Sequence, residues 1–268
     1  MDKQAKLKKI LKALKSVVIA YSGGVDSTFL LKAAVDTLGR ENVLAVTAKS
    51  ETYPSREFRE AKTMAKRIGA RHKIIHTSEL AIKGFKNNPV NRCYYCKKEL
   101  FSRLKNIAKN EKLDYCIDGA NYDDLKDIRY GRFAAKELNV RSPLVEAKIT
   151  KEDIRKFSKR LCLRTWDKPS FACLASRFPH KSRITREKLS TVEKAEEFLR
   201  GLGIKQVRVR HYGNLARIEA YPEDIKILLA PGNTKRISQK FKKYGFLYTT
   251  VDLEGYRTGS MNIPRIMV

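Results

Sequence analysis

The stretch Ser22-Gly23-Gly24-Val25-Asp26-Ser27 limits what this chain can fold into more than any other, because of what flanks it. The apolar, β-branched run Val17-Val18-Ile19-Ala20-Tyr21 precedes it, and Thr28-Phe29-Leu30-Leu31-Lys32-Ala33-Ala34 follows with helical periodicity. The pattern predicts a strand, a tight loop and a helix N-terminus. Such a loop turns unpaired backbone N–H groups and the positive end of a helix dipole toward an anion, and its glycines let the main chain approach closely. Phosphate is the expected guest. The loop has neither the lysine nor the four-residue spacer of a Walker A loop. A Gly-rich βα turn with Asp26 or Ser27 as an ordinary helix cap would use the same residues. Finding strand, hexapeptide and helix together favours the phosphate loop over that simpler reading.

Short apolar strands alternate with helix-length segments through the first two thirds of the chain. A helical pattern over residues 1–15 leads into the first strand; Asn42 to Ala48, including Thr47, reads as a second, and Arg71 to Thr77 as a third. A helix opens at Pro54-Ser55 and another spans about Lys97 to Lys109. Asp114 to Asp118 reads as a fourth strand, and a last strand is expected near Ser142-Pro143-Leu144-Val145. These are βαβ units, hence a parallel sheet covered on both faces. Ligands of such sheets bind beyond the carboxyl ends of the strands, where both the first loop and Gly119-Ala120-Asn121-Tyr122-Asp123-Asp124 would lie. Asp123 and Asp124 offer hard oxygen ligands suited to Mg²⁺, although a solvated Asx turn would need the same residues.

Residues 163–177 lack periodicity and read as a functional loop. Beyond them the pattern changes. Arg186 to Leu202 is an amphipathic helix, Gln206 to Tyr212 alternates as a strand with a basic face, and Leu215 to Tyr221 pairs with it across Gly213-Asn214. Two short helices divided near Pro231-Gly232 and a strand around Phe246 to Leu253 complete an α+β unit. The expected architecture is therefore α/β, a parallel-sheet domain over 1–180 followed by a small α+β domain over 181–268 for substrate binding or oligomerisation.

The chain carries 57 Lys plus Arg against 29 Asp plus Glu, a formal net charge of +28 in 268 residues. Heat adaptation enriches glutamate along with lysine, so it would not by itself leave this excess. Anionic partners follow: ATP, a phosphorylated small molecule, or tRNA. No apolar stretch is long enough for a bilayer, and the Lys-rich start has no export signal, so a cytoplasmic location and no membrane partner are expected.

Five cysteines are present, Cys93, Cys96, Cys116, Cys162 and Cys173. An odd number without an export signal argues for metal, cluster or reactive thiol over disulfides. Cys93-x-x-Cys96 alone could be half a zinc site, a redox pair or two small apolar residues at a helix start. Cys116, in a core strand, and Cys162, at a helix end, are expected to be buried and inert. Cys173 supplies a third thiol; three thiolates suit a four-iron four-sulfur cluster with one iron open to an extra sulfide, and zinc with a water is the rival occupant.

The hexapeptide resembles the signature of the PP-loop ATP pyrophosphatases, with the adenine-nucleotide α-hydrolase-like fold. The resemblance implies cleavage of ATP between the α- and β-phosphates and adenylation of a substrate oxygen. Three further motifs accompany it: Asn88-Pro89-x-Asn91-Arg92-Cys93-Tyr94-x-Cys96-Lys97, Asp118-Gly119-x-Asn121-x-Asp123-Asp124, and Lys168-Pro169-Ser170-x-Ala172-Cys173-Leu174-Ala175-Ser176-Arg177. Together they resemble the LarE family of ATP-dependent sulfurtransferases of nickel-pincer cofactor biosynthesis, over nearly the whole chain. Implied for this sequence are adenylation of pyridinium-3,5-dicarboxylate mononucleotide and its conversion to a thiocarboxylate, with a sulfide donor.

The implied site takes Ser22, Gly23, Gly24, Asp26, Ser27, Thr47, Gly119 and Asp123 for ATP and Mg²⁺, with Asp26 and Cys173 catalytic. Arg208 and Arg210 would hold the substrate phosphate, or stand merely solvated on a basic strand. Family members either give up the sulfur of a cysteine matching Cys173 or carry three cysteines and a 4Fe-4S cluster; Cys93, Cys96 and Cys173 match the second kind. A homo-oligomer is expected. Two other readings use the same loop: a tRNA thiolation enzyme, favoured by the basicity, and a non-catalytic nucleotide sensor whose cysteines are incidental.

Overall fold

The computed structural model describes residues 2–126, 129–169, 172–257 and 259–262. The chain divides into two compact units, one of Met1–Ile82 with Asn91–Phe171, the other of Lys83–Val90 with Ala172–Val268. Ser170 and Phe171 of the third motif lie outside the described residues. Among the described residues no helix is long and apolar enough to cross a membrane.

The first unit is a parallel α/β sheet. Helix α1 (Lys3–Leu14) is capped by the Asp2 carboxylate, which accepts from Gln4 N, and buries Leu7, Leu11 and Leu14 on one stripe. Strands β1 (Val17–Ala20), β2 (Val43–Lys49), β3 (Arg71–His76) and β4 (Tyr115–Ile117) run parallel in the order β3-β2-β1-β4. All four residues of β1 are buried, as a central strand covered on both faces requires. The connecting helices are α2 (Val25–Leu38), α3 (Ser55–Ile68) and α4 (Arg92–Asn110). They are followed by α5 (Tyr130–Glu137), α6 (Pro143–Glu146) and α7 (Lys151–Arg160). The chain winds outward from β1 through β2 and β3, then crosses back to place β4 on the other side of β1. The switch point of the sheet therefore lies between β1 and β4.

Two expectations are corrected here. Residues 142–145 form no strand: Pro143 has no N–H for a sheet ladder but suits the first position of a helix, and α6 starts there. Among the described residues only an isolated bridge, Ile117 to Arg141, continues the sheet beyond β4. Helix α4 starts five residues earlier than the periodicity indicated, at Arg92 rather than Lys97, so both Cys93 and Cys96 are helical.

The second unit packs α8 (Arg186–Gly201), α9 (Pro222–Leu229) and α10 (Pro231–Lys243) with a sheet of order β5-β6-β7. Its strands are β5 (Val207–Tyr212), β6 (Leu215–Ala220) and β7 (Tyr248–Val251). β5 and β6 form the expected hairpin, and β7 runs parallel to β6. Leu199, Val207, Val209, Ala216, Ile218, Phe241 and Phe246 form its core. Residues 83–90 belong to this unit through long-range bonds that no local pattern announces. The fully buried Asn88 donates from Nδ2 to Phe178 O (3.1 Å) and Pro179 O (2.7 Å), and its own carbonyl accepts from Lys181 N.

Candidate functional site

The loop between β1 and α2 is shaped by its own hydroxyls. Ser27 Oγ donates to Gly24 O (3.3 Å) and lies 3.2 Å from Ser22 Oγ, while the backbone N–H groups of Ser22 and Gly24 point at Ser27 Oγ and Ser22 Oγ. Gly24 occupies the N-cap of α2 with no side chain to satisfy the first-turn N–H groups, which leaves them for a ligand. Gly23 has φ +64°, and a Cβ there would stand 2.5 Å from Ala61 Cβ on α3. Gly23→Ala is accordingly expected to displace the loop and weaken ATP binding at least tenfold, measured by equilibrium titration with a fluorescent ATP analogue; unchanged affinity would show that the loop has room to shift.

Two side chains brace the loop from outside. Tyr53 donates its hydroxyl to Ser22 O (2.7 Å), and burial beside Glu57 pushes its pKa far up, so it remains a neutral donor. Lys168 Nζ sits between Glu57 (2.6 Å) and Glu60 (2.7 Å) and reaches Gly23 O at 3.4 Å. Its backbone is anchored in turn, since Arg155 donates to the carbonyls of Trp166 and Lys168.

Thr47, at the end of β2, is buried and donates to Tyr21 O (2.8 Å). That bond uses the hydroxyl hydrogen, so His72 Nε2, 2.8 Å from Thr47 Oγ1, carries the proton between them. Burial lowers the His72 pKa, which keeps the ring neutral in that tautomer. Thr47 thus ties β1, β2 and β3 together behind the loop.

Across the switch point, Gly119 packs directly on the start of α2: a Cβ there would come 3.0 Å from Ser27 N. The following turn, residues 121–125, is a capping box in which Asn121 Oδ1 accepts from Asp123 N and Asp124 Oδ2 accepts from Asn121 N. Asp118, half-buried behind it, is pushed up in pKa by desolvation, although Ser142 Oγ donates to it at 2.7 Å. Asp123 accepts from Lys151 N (2.8 Å), a bond that with the Lys126 ammonium holds its pKa down. Asp26 Oδ2 pairs with Lys151 Nζ at 2.5 Å, and Asp26 Oδ1 is buried without a hydrogen-bond partner. An unsatisfied carboxylate oxygen beside a helix N-terminus with free N–H groups suits a hard cation such as Mg²⁺.

The cysteines fall in different units. Cys93 is exposed and Cys96 half-buried, three residues apart in the first turns of α4 and so on one face. Cys96 Sγ donates to Glu79 Oε1 (3.9 Å). This pair is right in kind for a soft metal but supplies half of a site. Cys173 belongs to the second unit, and among the described residues no group of three or more His, Cys, Asp and Glu side chains could hold a metal ion. Cys116 is buried, which pushes its pKa up to about 11 and makes it inert. Cys162, expected to be buried, is exposed: it follows α7 with φ +53°, in the turn that ends the helix.

In the second unit Cys173 precedes a 3₁₀ turn, Leu174–Arg177, that is fastened by its last residue. Arg177 is fully buried; it pairs side-on with Glu196 (2.8 and 3.0 Å) and donates to the carbonyls of Ala172 and Cys173. Burial would lower its pKa, but Glu196 and the nearby Cys173 raise it. Glu196 also accepts from Val209 N and Arg200, and its pKa falls to about 2 against the opposing effect of burial, chiefly through Arg177. Arg208 and Arg210, on β5, are both buried and not solvated. Arg210 pairs with Glu219 (2.6 Å) and donates to Ser176 O (2.9 Å), next to the Cys173 turn. Arg208 lies over the Tyr256 ring and donates to Val207 O, and burial next to Arg177 lowers its pKa. Among the described residues, the buried arginines of this cluster, Arg177, Arg208 and Arg210, outnumber its buried carboxylates, Glu196 and Glu219, electrostatics that suit an anion.

Sequence reasoning placed Lys168 and Arg177 in the functional loop over 163–177 and its motif but gave neither a role, and it did not single out Lys151 and Glu196. Glu196 had a signal: it falls on the apolar stripe of α8 with Leu189, Val192 and Leu199, where a charge needs a buried partner. Lys151 had none, being an ordinary residue after a helix cap.

A β1–loop–α2 unit at the switch point of a parallel sheet, with an acid turn against it, defines a PP-loop nucleotide domain, and a family model described as NAD synthase matches residues 4–108. The likeness to particular proteins runs much further. Pyridinium-3,5-bisthiocarboxylic acid mononucleotide synthase of Lactiplantibacillus plantarum is 39% identical over 260 residues, covering 97% of this chain and 94% of that one. A Synechocystis protein of uncharacterised function is 46% identical over 97% of both chains. Another, from Methanocaldococcus jannaschii, is 36% identical over 96% of this chain and 98% of that one. The chain belongs to the LarE family, and is an ATP-dependent, adenylating sulfurtransferase.

Proposed function

We propose that this enzyme adenylates a carboxylate of pyridinium-3,5-dicarboxylate mononucleotide and replaces the activated oxygen by sulfur. The observation that carries the reading is that the likeness to the bisthiocarboxylic acid mononucleotide synthase covers both units, not the nucleotide loop alone. That coverage supports a small nucleotide-like acid over tRNA, since the substrate side of the chain matches as well as the ATP side.

In this reading the N–H groups of the Ser22–Ser27 loop bind the β- and γ-phosphates, Asp26 and Asp123 would hold Mg²⁺, which would neutralise charge on the phosphates, and Thr47 and Gly119 shape the nucleotide pocket. A substrate carboxylate oxygen attacks the α-phosphorus, the bond to the β-phosphate oxygen breaks, and pyrophosphate leaves. A sulfur nucleophile then attacks the acyl carbon and AMP departs with the original oxygen. Arg208 and Arg210 hold the substrate phosphate, for which their buried excess charge is suited. Cys93, Cys96 and Cys173 are the residues that would ligate an iron–sulfur cluster, which when bound would supply the transferable sulfide. Soft thiolates, one pair of them on a single helix face, support that choice of ligands.

The test is direct. Purified protein with ATP, Mg²⁺ and the dicarboxylate nucleotide is expected to release pyrophosphate, and to release none when total tRNA replaces the nucleotide. The opposite pattern would overturn the substrate assignment. Separately, protein reconstituted anaerobically is expected to be brown and to hold about four iron and four sulfide per chain; colourless protein with stoichiometric zinc would refute the cluster.

A further inference from the structure

Lys151 stands where a metal ion would be expected. Its Nζ is 2.5 Å from Asp26 Oδ2, and its own N–H donates to Asp123 Oδ2 at 2.8 Å, so one residue engages both acid loops of the switch point. The other oxygen of Asp26 is buried and has no hydrogen-bond partner. Lys151 is held in place by the α7 cap, in which Thr150 Oγ1 accepts from Asp153 N and Asp153 Oδ2 accepts from Thr150 N. Among the described residues, the charges facing this spot include Asp124, paired with Arg129 at 2.9 Å, Lys126, paired with Asp123 at 3.1 Å, and Asp153, paired with Lys3 at 2.5 Å. The dipole of α2 offsets part of the cost of partly burying the Asp26 carboxylate, and the ammonium supplies the remaining counter-charge without the octahedral oxygen shell Mg²⁺ requires.

We infer that Lys151 is a positioning residue that acts as a stand-in cation: it occupies Asp26 while the site lacks nucleotide, keeps free divalent ions out, and yields to the metal that arrives with ATP. This rests on the reading that the loop takes ATP together with a divalent ion. When a triphosphate enters, its negative charge offers the ammonium another partner and offers the metal additional oxygen ligands. Both effects release Asp26 to the ion, so metal and nucleotide bind cooperatively although each alone binds weakly.

The experiment uses the full nucleotide-free chain and Mn²⁺ as the probe, with free Mn²⁺ followed by electron paramagnetic resonance. Lys151→Met is expected to bind Mn²⁺ about tenfold or more tightly than the parent, the order expected when a unit positive charge next to the ligand is removed. ATP should then raise Mn²⁺ affinity less in the variant than in the parent, by the same factor. Lys151→Arg, which keeps the charge, and Lys156→Gln, which removes one elsewhere on α7, should match the parent. Lys151 is partly exposed in a first helical turn, and Lys151→Gln provides a second neutral variant if the methionine variant loses its far-ultraviolet circular dichroism. Unchanged or weaker Mn²⁺ binding in the neutral variants, or equal tightening in Lys151→Arg, would overturn the inference. None of these readouts requires the dicarboxylate substrate, so a failure of the substrate assignment would leave the result intact and distinguishable.

Discussion

Cys173→Ala is expected to abolish thiocarboxylate formation completely while ATP cleavage continues. Adenylation needs only the nucleotide loop, the acid turn and a bound carboxylate, all of which the substitution leaves alone. Delivery of sulfur needs the thiol, whether as a cluster ligand or as the donor atom itself. The measurement is paired: pyrophosphate release per unit time, and thiocarboxylate by mass spectrometry in the same reaction. Equal loss of both would mean that the variant had damaged the fold or the substrate site. Undiminished thiocarboxylate would remove Cys173 from the chemistry altogether, as a nucleotide sensor with incidental cysteines requires. Cys93→Ala separates the two roles of the thiol. With a cluster it ends repeated turnover; with a sacrificed side-chain sulfur it leaves the single turnover untouched.

Arg177→Met is expected to be the most damaging single change to stability. Both members of the Arg177–Glu196 pair are about 1% exposed, so removing the arginine leaves a buried carboxylate that has lost its main counter-charge and keeps Arg200, the Val209 N–H and the nearby Arg208 charge. Breaking such a pair costs about 3–5 kcal/mol, which for units of this size lowers the melting temperature by roughly 10–20 °C. The doubly neutral Arg177→Met/Glu196→Met chain should recover part of that loss, because the uncompensated charge is gone, and calorimetry on the three chains measures the difference. A double variant no more stable than Arg177→Met would show that packing, not charge, sets the cost.

The same pair predicts an acid limb. The pKa of Glu196 is lowered on folding from an ordinary 4.5 to about 2. Its stabilisation is therefore fully present above the unfolded value and is lost as the pH falls through the folded one, between about 4.5 and 2. Glu196→Gln should flatten the denaturation midpoint against pH over that window. The consequence extends to the site, since Arg177 also holds the carbonyls of Ala172 and Cys173, so loosening the pair releases the turn that presents the thiol.

The nucleotide loop was legible because its chemistry is local. A β-branched run, two glycines and a helical repeat adjoin in sequence, and backbone sterics need no distant partner to make a strand, a tight turn and a helix start of them. The same holds for the hairpin of β5 and β6 around Gly213-Asn214, and for the alternation that marks the first sheet as parallel. At 142–145 local reading failed because an apolar run of that length suits a short helix as well as a strand, and the missing N–H of Pro143 decided for the helix.

What only the tertiary structure decided is which charges lie near which. Arg208 and Arg210 read as one face of a strand, and a face by itself is equally consistent with solvent. Their burial depends on Glu219 of the neighbouring strand, nine residues from Arg210, and on the Tyr256 ring and the Ser176 carbonyl, contributed by segments tens of residues away in sequence. Lys151 and Asp26 are 125 residues apart, and nothing near either announces the other. Sequence alone determined where phosphate can bind, because a helix end and glycine conformational freedom act over a few bonds. Ion pairing acts through space, so the placing of Lys151 against Asp26 and of Arg177 beneath the Cys173 turn was set by the fold.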